Sequence, residues 1–186
     1  AEKWTAENLP VAAPGEKGHA SIITVAALNN EYTKVENVVI ENLTISGAKT
    51  IRDIQATGGA YTDHGHGINI NNANVTVNDV TLSDNEGAGM VINGGEVAIS
   101  GVTFDGNGWG GINIEYKDVD DAESQPVTVK ANLTVSGCVF DMPEQGEEKA
   151  PQVIYTDEYD AEKVNVEGYT AQKVESSETY VWTANA

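Results

Sequence analysis

The chain has a single arginine, Arg52, and only ten basic residues against 29 acidic ones, for a net charge of −19 over 186 residues. Charge of that sign repels phosphate backbones and anionic headgroups, which argues against nucleic acid as a partner and against membrane insertion. Long apolar runs are missing too, none approaching the roughly 20 residues of a membrane helix. The opening Ala1-Glu2-Lys3-Trp4 has neither the basic nor the apolar region of a signal peptide, so the chain reads as a mature form or a piece of a larger protein. One cysteine, Cys138, excludes an internal disulfide. Leucine is scarce, with five against 21 Val and 13 Ile, whereas Thr (16), Asn (17) and Gly (19) are plentiful. That balance excludes an all-helical fold and favours strands joined by tight turns. The length suits one domain, 1–186, with a core that needs neither disulfide nor metal.

An internal repeat organises the sequence. Val38-x-Ile40-x-x-Leu43-x-Ile45 recurs as Val75-x-Val77-x-x-Val80-x-Leu82, Val97-x-Ile99-x-x-Val102-x-Phe104, Leu133-x-Val135-x-x-Cys138-x-Phe140 and Val164-x-Val166-x-x-Tyr169-x-Ala171. Alternation within each half is the strand period, and the two residues between the halves shift the inward parity, so each copy predicts two short strands around a corner. A third strand follows in Ile68-x-Ile70, Met90-x-Ile92, Ile112-x-Ile114, Val153-x-Tyr155 and Tyr180-x-Trp182. Val75 and Val97 are 22 residues apart, as are Met90 and Ile112, so three strands with their turns make one unit. Stacked units predict ladders: Val38, Val75, Val97, Leu133 and Val164 in one, Ile45, Leu82, Phe104, Phe140 and Ala171 in another. Cys138 falls in the ladder of Leu43, Val80 and Val102, which makes it a small buried apolar group.

This pattern resembles the right-handed parallel β-helix repeats of the pectin-lyase-like superfamily. The resemblance implies an all-β solenoid of about five to six coils of about 22 residues over 21–183, with loop insertions. Ser21 to Val25 supplies a strand of an earlier coil, and residues 1–20 form an N-terminal cap or lead-in, with Trp4, Leu9 and Val11 folding over the first rung. At the other end Tyr169, Tyr180 and Trp182 are larger than the residues they replace, as a covered terminus requires. The resemblance, rather than any targeting segment, implies a secreted or cell-surface location.

Function in such a repeat concentrates where coils are interrupted. Ser46 to Gly67 and Asp141 to Gln152 each separate a second strand from a third, and Lys117 to Asn132 lies between coils. The first and last therefore emerge on one edge together with the short turns Ser83 to Gly89 and Asp105 to Gly111, forming a strip. On it Trp109, within Asn107-Gly108-Trp109-Gly110-Gly111, offers a ring that can stack on a sugar face. Ser46, Ser83, Asp105 and Asp141 align just after the second strand, with Asp84 one position on. Carboxylates on adjacent rungs stand about 5 Å apart, a spacing for calcium or an acid pair. Asn85 and Asn107 share a turn register and predict a hydrogen-bonded ladder.

Asp63-His64-Gly65-His66-Gly67 contains a Gly-His-Gly that looks like the one in polygalacturonases. The same family carries Asn-x-Asp and Arg-x-Lys, and this chain has no Asn-x-Asp, nor is Arg52 followed by x-Lys. His64 and His66, with Asp63 or His19, also form a sparse set of metal ligands. Non-catalytic glycan binding or adhesion at the strip is the expected function, with Trp109, Asp84, Asp105, Asp141, Tyr61, His64 and His66 as contacts. No cofactor is required, and calcium is the ion Asp105 and Asp141 would hold. The alternatives are a lyase or glycosidase acting on an acidic polysaccharide through Asp105, Asp141, His66 and Arg52, and a purely structural stalk. Expected partners are a glycan, neighbouring domains, or a second copy associating end to end.

Overall fold

The computed structural model describes residues 21–27, 33–49, 65–120, 126–141, 153–157, 159–175 and 177–186, with the backbone alone of 51–52 and 62–63. The expected cap at 1–20 lies outside them. Among the described residues the protein is all-β, without helix, and most strand pairs are parallel. The 22-residue interval appears as register where Ile68 pairs with Met90, Met90 with Ile112 and Val75 with Val97, and the last file continues from Val97 to Leu133 across an insertion. Val38 stands on Val75, and Ile23 on Ile68 in the expected earlier strand. A second, four-stranded sheet sets Ile45, Leu82, Phe104 and Phe140 in one file. Like residues thus pack on like, and the Phe104 and Phe140 rings lie 4.8 Å apart and 2° from parallel.

The corners follow from residue type. Asn42, Asp79, Gly101, Gly137 and Gly168, the second residue of each interval between strand pairs, all have φ between 51° and 77°. Gly47, Asp84 and Gly106 do the same after the second strand, at 79°, 53° and 62°. Only Gly, Asn and Asp adopt this left-handed conformation readily, so their recurrence at these positions turns the chain at equivalent points. Between the corners the core is aliphatic, with Ile68, Ile70, Met90, Ile92, Ile112 and Ile114 fully buried.

Three expectations need correction. Val164 pairs with Ala131 rather than Leu133, which instead faces Val166. Ile154, not Val153, lies in the file of Ile112, so Tyr155 stands over Asn113 and points away from the core. Tyr169–Lys173 does not extend the Phe104 file. It pairs antiparallel with Tyr180–Ala184, which in turn pairs antiparallel with Ile154–Thr156. Two hairpin pairs, Lys117–Asp120 with Pro126–Val129 and Ile51–Arg52 with Thr62–Asp63, are likewise antiparallel and belong to insertions.

The antiparallel turn at the end lays Trp182 against the core. Trp182 is 5% exposed, its Nε1–H donates to Thr156 Oγ1 at 2.7 Å, and Tyr159 meets it edge-on at 5.4 Å. Trp182→Ala is expected to cost about 3 kcal/mol, because it opens a cavity and leaves the buried Thr156 hydroxyl without its donor. Urea unfolding measures it, and a midpoint equal to wild type would mean that the indole covers nothing.

Candidate functional site

The described part of the turn strip is built from the inside outward. Asn85 and Asn107, 1% and 0% exposed, form the expected ladder: Asn85 Nδ2 donates to Asn107 Oδ1 at 2.7 Å, and Asn107 Nδ2 to the Leu82 carbonyl at 2.8 Å. The ladder reaches one turn further, where the Ala48 N–H donates to Asn85 Oδ1 at 3.0 Å. With these inward residues satisfied, the turns around them are fixed, and their flanking residues are displayed outward.

Four residues beyond Asp105, Trp109 is 40% exposed. Its indole meets the His66 ring edge-on, 5.7 Å between centroids at 73°. His66 Nδ1 accepts the Ala88 N–H at 2.9 Å, so the neutral ring carries its proton on Nε2. The imidazole occupies the space where a side chain at 87 would be, since a Cβ on Gly87 would lie 2.4 Å from His66 Nδ1. Glycine at 87 is therefore what lets the two rings meet. Neither the Gly-His-Gly motif nor Trp109 alone announces this contact, because it joins residues of different turns.

The acidic file is also present. Ser46, Ser83, Asp105 and Asp141 are in register on successive strands, and all but the half-buried Ser83 are exposed. Asp84 follows on the adjacent turn, also exposed, and Lys49 pairs with Glu86 at 3.2 Å. Arg52 has its backbone opposite Thr62; its side chain, and all of Tyr61, His64 and His19, lie outside the described residues. Among the described residues no group of three or more His, Cys, Asp or Glu side chains is placed so that it could hold a metal ion. Cys138 is half-buried against the core, and burial pushes its thiol up, away from a nucleophilic thiolate.

A depression elsewhere on the surface escaped the sequence reading. An open depression of about 450 Å³ is lined by Asn93, Glu115, Tyr116, Asp118 and Asp157. It lies on the outward side of the main sheet, where Asn71, Asn93 and Glu115 are in register and the Lys117–Asp120 hairpin begins. Its carboxylates are engaged by the protein: Glu115 Oε1 accepts the Asp157 N–H at 2.6 Å, Asp118 accepts the Thr128 hydroxyl, and Asp157 accepts from Asn113 and Thr179. Lys163 Nζ lies 4.2 Å from the Tyr116 ring centre. Behind it, burial and the nearby Asp157 push the Tyr155 phenol well above its ordinary range, so it stays protonated. The signal in the sequence was the polar residues alternating with Ile68, Ile70 and their equivalents, but outward polar positions occur on most strands. Comparison with family models, curated proteins and solved structures found no match.

Proposed function

We propose that this chain is a right-handed parallel β-helix domain, secreted or displayed at a cell surface, that binds a glycan at the turn strip without altering it chemically. The observation that carries the reading is the indole of Trp109, exposed to 40% yet braced by His66 over Gly87. A ring held rigid before the ligand arrives loses little freedom on binding, and its apolar face suits the axial C–H groups of a pyranose. Exposed carboxylates at Asp84, Asp105 and Asp141 accept hydrogen bonds from sugar hydroxyls along the same strip. Calcium, where used, would sit between Asp105 and Asp141, which are neighbours in register.

A glycan array run with and without calcium tests this. Trp109→Ala should weaken retention about tenfold or more while the β-type circular dichroism stays unchanged, because the ring is exposed and supports no core residue. Retention equal to wild type would sink the site; product release from a retained polysaccharide would replace binding by catalysis.

A further inference from the structure

We draw no further inference here: the strongest candidate, the open depression on the outward side of the main sheet between Asn93 and Tyr116, is walled by carboxylates that the protein already hydrogen-bonds, and nothing in the structure shows what would occupy it.

Discussion

Asn107→Asp is expected to destabilise the protein by about 4 kcal/mol near pH 8, and by roughly half that or less near pH 5. The side chain is fully buried, with Oδ1 accepting from the Asn85 amide at 2.7 Å and the Asn85 backbone N–H at 3.3 Å, and Nδ2 donating to the Leu82 carbonyl at 2.8 Å. A carboxylate keeps the first two bonds but turns its second oxygen, an acceptor, against the Leu82 carbonyl. A protonated carboxyl restores the lost donor. Burial and that carbonyl therefore raise the folded-state pKa above the unfolded value of about 3.9. Between those values the folded protein holds the proton that the unfolded chain has released, so stability relative to wild type falls as pH rises and levels off once the buried group ionises. Urea midpoints of both proteins at the two pH values check it. A penalty that does not change with pH would mean that residue 107 is not part of a closed hydrogen-bonded column.

That column was legible because Asn85 and Asn107 recur 22 residues apart at the same place in the turn, and so were the files through Val75, Val97, Phe104 and Met90. The two register errors have separate physical origins. In a strand only the parity of the inward residues is strongly specified, so a slip of two residues keeps every side chain on its own face. Val164 and Val166 are both inward-facing, and pairing Val164 with Ala131 satisfies the pattern as well as the expected register. Val153-Ile154-Tyr155 has no alternation at all, so its parity could not be read, and the contact of Ile154 with Ile112 decided it. The candidate site was legible only as far as the placement of Trp109 and the aspartates on the exposed turn strip, which the repeat defines. The brace of His66 over Gly87 was not, because it depends on which way one imidazole turns. Nor was the depression at Asn93 and Glu115, where concavity comes from a hairpin rather than from the repeat.

Parity also carries the largest mutational contrast. Val102→Asp is expected to abolish cooperative folding, whereas Thr103→Asp should change stability by no more than about 1 kcal/mol. Val102 is 0% exposed and lies in the file of Val80, tied to it through the Thr103 N–H on the Val80 carbonyl at 2.9 Å. An unpaired carboxylate there costs about 3–5 kcal/mol beyond the lost apolar contacts, comparable with the whole stability of many domains at about 5–15 kcal/mol. Thr103 stands in the outward file of Thr81 and Val139, where a carboxylate reaches water. Soluble yield and urea unfolding of the two variants give the comparison, and equal damage from both would invert the assigned faces. The contrast turns on Gly101. Before it, odd-numbered Val97 and Ile99 face inward; after it, even-numbered Val102 and Phe104 do. A left-handed residue, φ 62°, makes that exchange, and the Asp79 carboxylate already occupies the space a Cβ would take, 2.5 Å from Oδ1. The inward position of Val102 is thus a consequence of the corner, and the neighbouring threonine is harmless for the same reason.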